Sequence, residues 1–153
     1  MPLYLVNGSP GAGKSTACAE LNRRGFIAYD TDLDQLSAWS DGVLRLPPST
    51  VRRIAAEVGD GAGFICGSTG NEGEVWDLFT AVAFLTVGAD TLRRRLIQRG
   101  GFGSAGAELE GVLGRHTGAE SANARFGAHL VDADRPVEEV VDDLLTALGV
   151  ARN

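Results

Sequence analysis

Residues 8–16 read Gly-Ser-Pro-Gly-Ala-Gly-Lys-Ser-Thr and match the spacing G-x-x-x-x-G-K-[ST]. Leu3-Tyr4-Leu5-Val6 before them has the composition of a short buried strand, and residues 17–24 that of a helix. This strand, glycine-rich turn and helix leave few folds open, because the turn has a definite physical consequence. The N–H groups of residues 11–16 converge on one point, where the helix adds partial positive charge, and a polyphosphate fits there. Gly8, Gly11 and Gly13 let the backbone approach phosphate oxygens where a Cβ would intrude. Ala12 and Thr16 add amides to the cradle. Lys14 is expected to reach the β- and γ-phosphates, and the Ser15 hydroxyl to ligate Mg²⁺. Among fourteen Lys and Arg residues Lys14 is the only lysine. A chain that writes its other cations as Arg keeps the compact ammonium where a point charge must sit among oxygens. A nucleoside triphosphate is the ligand this stretch predicts.

The 153 residues predict one domain spanning 1–153, large enough for a central sheet with helices on both faces. A formal net charge of −6 argues against nucleic acid as a partner and leaves an anionic substrate to local Arg clusters. Cys18 and Cys66 read as buried free thiols of a reducing compartment. Met1-Pro2 leads into the first strand without a basic n-region, and no apolar run approaches the ~18 residues of a membrane span. A cytoplasmic protein without a membrane partner is expected, with a monomer favoured over an oligomer.

Along the chain, Phe26-Ile27-Ala28-Tyr29 predicts a second strand ending in Asp30-Thr31-Asp32. Ligands of a parallel sheet bind at the carboxyl ends of its strands. Asp30 and Asp32 are therefore candidates for the Mg²⁺ shell and for a proton or hydrogen bond from an acceptor hydroxyl; the other reading is an N-cap for a helix over 34–39. Residues 40–50 read as a loop, and Ser49 or Thr50 as the start of a helix carrying Arg52 and Arg53. With Arg45, these face an anionic acceptor or only solvent; the segment 33–60 is the acceptor side. Gly63-Phe64-Ile65-Cys66 predicts a third strand, whose end, Gly67-Ser68-Thr69-Gly70-Asn71, reads as a pocket wall. Gly67 and Asn71 are substrate-contact candidates, Asn71 equally a helix cap. No Asp ends this strand, which leaves the metal shell to Asp30 or Asp32. Ala81–Val87 predicts a central fourth strand, then a helix capped by Asp90 that carries Arg93, Arg94, Arg95 and Arg99. Arg95 and Arg99 share one helical face and are candidates to stabilise charge on a migrating phosphoryl group. Residues 100–106, with four glycines, are a candidate lid or a plain linker. A glycine-weakened helix follows over 107–125. His116 and His129 read as structural or surface residues. His129–Ala133 predicts the fifth strand, and Arg135-Pro136 opens a last helix, Val137–Leu148, at a turn able to hold a nucleotide base.

These pieces together resemble the small P-loop kinases of the adenylate kinase and shikimate kinase type. The likeness rests on residues 8–16, Asp30-Thr31-Asp32, the Arg-Arg-Leu-x-x-Arg run of 94–99 before a short lid, and Val131-Asp132-Ala133 followed by Arg135-Pro136. It implies an α/β, three-layer P-loop NTPase fold with a five-stranded parallel sheet of order 2-3-1-4-5. It also implies MgATP as donor, Asp30 in the magnesium shell, Asp32 at the acceptor, Arg95 and Arg99 at the lid, and Arg135-Pro136 beside adenine. The sequence departs from the family where acceptors bind. Gly67-Ser68-Thr69-Gly70 replaces the triple glycine of shikimate kinases, and the Asp-Gly-Phe-Pro-Arg run of adenylate kinases is missing. The expected activity is transfer of the γ-phosphoryl group of MgATP to a small acceptor, a nucleoside, nucleotide or other hydroxy compound. The rival is an ATP-binding regulatory protein or slow ATPase. A GTPase is disfavoured, since guanine recognition by Asn-Lys-x-Asp needs a second lysine.

Overall fold

A computed structural model describes residues 2–152. In chain order the elements are β1 (Leu3–Gly8), α1 (Lys14–Arg23), β2 (Ile27–Asp30), β3 (Ala38–Ser40), β4 (Val43–Arg45), α2 (Pro48–Val58), β5 (Gly63–Cys66), α3 (Glu72–Val75), a 3-10 turn (Trp76–Leu78), β6 (Ala81–Thr86), α4 (Ala89–Arg99), α5 (Gly106–Arg125), β7 (His129–Asp132) and α6 (Val137–Leu148). Every residue of β1 is buried, as a strand covered on both faces must be. Side chains alternate across a strand, so β1 feeds two cores. Tyr4 and Val6 join Phe64, Leu85 and the apolar faces of α1, α4, α5 and α6. Leu3 and Leu5 join Ile65, Val82, Val51 and Ile54 of α2, and Val75 of α3.

The five strands of the main sheet are parallel and ordered β2-β5-β1-β6-β7. This differs from the expected 2-3-1-4-5 because the antiparallel pair β3-β4, outside that sheet, intervenes in the chain between β2 and β5. No helix forms over 34–39. Instead Asp34 N–H donates to the Asp30 carbonyl at 2.9 Å, Leu36 N–H to the Thr31 carbonyl at 3.0 Å, and Asp34 Oδ2 accepts from Asp30 N–H at 2.7 Å. The chain closes on itself there and emerges as a strand. Asp41 and Gly42, with φ of 52° and 75°, make the two-residue turn of the β3-β4 hairpin, a turn whose twist matches that of the paired strands. Two smaller differences concern helix ends. Gly88 rather than Asp90 is the N-cap of α4, and the helix after Asn71 gives way to a 3-10 turn at Trp76. Cys18 and Cys66 are buried free thiols.

Candidate functional site

β1 delivers the chain at Gly8 into a turn closed by Ala12 N–H on the Ser9 carbonyl at 3.0 Å. Gly11 and Gly13 take φ of 85° and 104°, left-handed values that favour glycine. Gly11 has a second constraint: a Cβ there would lie 3.0 Å from Leu96 and 3.2 Å from Leu92, so the loop rests against α4. Lys14 begins α1 and turns its Nζ inward, donating to the Gly8 carbonyl at 2.5 Å and to Ser68 Oγ at 3.0 Å. Burial pulls the Lys14 pKa down from 10.5 to about 8; the carboxylates of Asp32, Glu72 and Asp30 oppose the fall, and Arg99 adds to it.

Ser68 lies in the turn Gly67-Ser68-Thr69-Gly70, whose two glycines permit close packing. A Cβ on Gly67 would come within 1.9 Å of Thr31 Oγ1, and one on Gly70 within 2.2 Å of Val43 Cγ1. The loop after β2 and the β3-β4 hairpin therefore pack against this turn at Gly67 and Gly70. The Ser68 hydroxyl lies 2.8 Å from Asn7 Oδ1 and 2.6 Å from the Gly8 carbonyl. Asn7 in turn donates through Nδ2 to Glu72 Oε1 and Asn123 Oδ1, both at 3.1 Å. Burial raises the Glu72 pKa above the usual carboxylate range, against the Asn7 and Thr69 hydrogen bonds and the charge of Lys14.

A cleft of about 700 Å³ opens over this turn, lined by residues 10–16 and by Asp32, Ser68, Arg95, Arg99 and Arg135. Most of the candidate residues thus share one space, with differences in detail. Asp30 stands behind Ser15, whose hydroxyl donates to Asp30 Oδ2 at 2.5 Å; Oδ1 accepts from Asp32 N–H at 2.9 Å and Leu33 N–H at 3.1 Å. Arg95 spans the loop, donating to the Ala12 carbonyl at 3.3 Å and the Ala133 carbonyl at 3.0 Å. Arg99 is exposed and reaches the Phe102 carbonyl at 3.1 Å. Arg135 pairs with Asp143. Pro136 is the N-cap of α6, while Val137 and Val140 supply the apolar wall there. Gly67 and Asn71 stand apart from this cleft. Asn71 is buried, accepting from Leu46 N–H and donating to the Leu46 carbonyl, each at 2.8 Å, so both ends of its amide anchor the chain after β4. It makes no side-chain cap to α3 either.

Ser68, Phe102, Val137 and Val140 line the cleft without having been singled out from the sequence. Of these only Ser68 carried a signal, its position in the polar turn after β5. A smaller hollow of about 190 Å³ adjoins the loop, sharing Pro10 and Ser68 with the large cleft and adding Asn7, Glu72, Arg115 and Asn123.

The donor set suits magnesium as a phosphate-bound ion. No group of three metal-binding side chains exists among the described residues, and Mg²⁺ commonly takes one or two protein oxygens, leaving the rest to phosphate and water. Ser15 and Asp30 are two such oxygens at the phosphate end of the turn.

A triphosphate bound at this turn would return the Lys14 ammonium to favour, which has a measurable sign. Above pH 8 the free protein holds Lys14 largely neutral, so binding takes up a proton. Calorimetry in two buffers of different ionisation enthalpy should show uptake approaching one proton near pH 9, with affinity falling as pH rises past 8. Zero uptake at pH 9 would contradict the burial of this ammonium.

No family profile and no curated protein sequence matches the chain. Among solved structures, a gluconokinase from Sinorhizobium meliloti 1021 superposes with a TM-score of 0.61 at 16% identity, over 97% of this chain and 91% of its own. A sugar kinase from Janibacter sp. HTCC2649, solved unliganded, gives 0.59 at 18% identity, over 99% and 96%. The chain shares the overall fold of these two kinases. At these identities the likeness concerns the fold and does not single out the adenylate or shikimate kinase type. No helix among the described residues is long and apolar enough to cross a membrane.

Proposed function

We propose that the protein is an ATP-dependent phosphotransferase acting on a small hydroxy compound. One observation carries the reading: Lys14, Asp32, Arg95 and Arg99 meet around one cleft, and a second hollow opens beside the same turn, with Ser68 on both. Such a plan has room for a donor and an acceptor on either side of a transferring group. The donor's β- and γ-phosphates lie on the loop amides and Lys14, and adenine against Val137 and Val140 beside Arg135. Magnesium, held by Ser15 and Asp30, supplies charge neutralisation at the phosphates. Asp32 takes the proton from the acceptor hydroxyl as that oxygen bonds to the γ-phosphorus and the bond to the β–γ bridging oxygen breaks. Arg99 faces the growing charge on the phosphoryl oxygens, and Arg95 keeps the loop joined to the β7 end.

The names of the two superposing proteins favour a sugar or sugar acid as acceptor, ahead of a nucleoside or nucleotide. The acceptor is placed in the large cleft beside Asp32, where it adjoins the smaller hollow, whose polar lining is Asn7, Glu72, Arg115 and Asn123. ATP consumption with a panel of sugars, sugar acids, nucleosides and nucleoside monophosphates tests the reading, with wild type beside Asp32→Asn. One compound should accelerate consumption at least tenfold, and the variant should lose about 10²- to 10⁴-fold of it. Slow hydrolysis indifferent to every compound and to the variant would instead mark an ATP-binding regulator or ATPase.

A further inference from the structure

The sequence gives His116 no partner, yet it is buried on α5 and uses both ring nitrogens. Nε2 lies 2.8 Å from the Val87 carbonyl, and Nδ1 lies 2.7 Å from Ser9 Oγ. A carbonyl can only accept, so Nε2 carries hydrogen. In the neutral ring Nδ1 then accepts from the Ser9 hydroxyl; in the charged ring Nδ1 donates to it. The joint forms in either state. It connects three segments far apart in sequence: the start of the phosphate turn, the chain just past β6, and the middle of α5.

We infer that His116 is a positioning residue for the phosphate turn, acting through Ser9, an inference that rests on triphosphate binding at that turn. The turn has little stiffness of its own, with glycines at 8, 11 and 13. Its far side is held by Leu92 and Leu96 against Gly11. Its near side hangs on Ser9. The Ser9 carbonyl accepts the Ala12 N–H that closes the turn, and the adjoining Gly8 carbonyl receives Lys14 Nζ. Fixing the Ser9 side chain from α5 thus fixes the residue whose two flanking peptides carry these contacts. A turn ordered before the ligand arrives loses less entropy on binding.

The two ring nitrogens can be separated by substitution. His116→Asn places an amide oxygen where Nδ1 stands and keeps the Ser9 bond; His116→Gln places its amide nearer the Nε2 position and keeps the Val87 bond. Both shorten the ring's apolar contact, so a purely structural role predicts equal harm. The measurements are ATP affinity and hydrogen–deuterium exchange of the peptide covering residues 8–16 in the ligand-free protein, with melting temperature recorded for each variant. His116→Gln and Ser9→Ala should each weaken ATP binding roughly tenfold and speed exchange of that peptide by a similar factor. The double variant should be no worse than either single one, and His116→Asn should stay within about threefold of wild type. Equal effects of Asn and Gln, additive losses in the double variant, or unchanged exchange in Ser9→Ala would overturn the inference. Exchange is read without nucleotide, so it reports on the tether even if ATP does not bind, a result that would count against the proposed function.

Discussion

Lys14→Ala should abolish turnover while leaving the fold at least as stable as wild type. Loss of one preorganised donor at a developing charge commonly costs 10²- to 10³-fold in rate, and Lys14 is the only lysine in the chain, so no neighbouring ammonium can substitute. The stability half follows from the pKa. Lys14 titrates at about 8 rather than 10.5, a gap equivalent to roughly 3 kcal/mol of penalty for holding the ammonium in the folded protein. By sign, that cost is fully present below pH 8 and is relieved as pH rises from 8 to 10.5. Alanine removes it at every pH. The groups it leaves are not orphaned, since Ser68 Oγ lies 2.6 Å from the Gly8 carbonyl and can turn its hydrogen there. A thermal melt at pH 7 and a single-turnover assay on the same sample check both halves. Turnover within a few-fold of wild type would remove Lys14 from the mechanism, and a clearly lower melting temperature would remove the stored cost.

What could be read beforehand divides along physical lines. Continuous apolar runs gave the strands, because burial on both faces leaves no other composition for Leu3–Val6 or Ala81–Thr86. The turn over residues 8–16 is legible because its residue types stand at a fixed spacing between a buried strand and a helix. The hairpin is visible only in the Asp-Gly pair of Ser40-Asp41-Gly42-Val43, the signature of a two-residue turn; the expected helix over 34–39 gives way because Asp34 closes a loop back onto Asp30. Asn71 shows the limit of composition. A polar residue at a strand's carboxyl end suggested a ligand, and nothing local discloses that Leu46, twenty-five residues earlier, takes both ends of its amide. Ser68 and His116 depend likewise on long-range partners: Ser68 on Lys14, fifty-four residues away, and His116 on Ser9, one hundred and seven away.

Asp30→Asn should separate magnesium from nucleotide. Asp30 is buried and makes two kinds of contact: Oδ1 takes the N–H groups of Asp32 and Leu33, and Oδ2 takes the Ser15 hydroxyl. An asparagine can keep the first with its oxygen and turn its amide to Ser15, whose hydroxyl then accepts. The turn that carries Asp32 therefore survives, and only the charge is lost. Mg²⁺ is a hard cation that binds oxygen anions, so removing that charge should raise the Mg²⁺ concentration for half-maximal turnover more than tenfold and lower turnover at ordinary Mg²⁺ by about 10²-fold. Binding of ATP without Mg²⁺ should hold steady or tighten, since a carboxylate beside the phosphates is gone. Asp30→Ala, by contrast, frees the Asp32 and Leu33 N–H groups and should damage acceptor binding as well as metal dependence. If Asp30→Asn titrated with Mg²⁺ as wild type does, Asp30 would be only the brace that sets Asp32 and Ser15, and the metal's carboxylate ligand beside Ser15 would have to be sought at exposed Asp32.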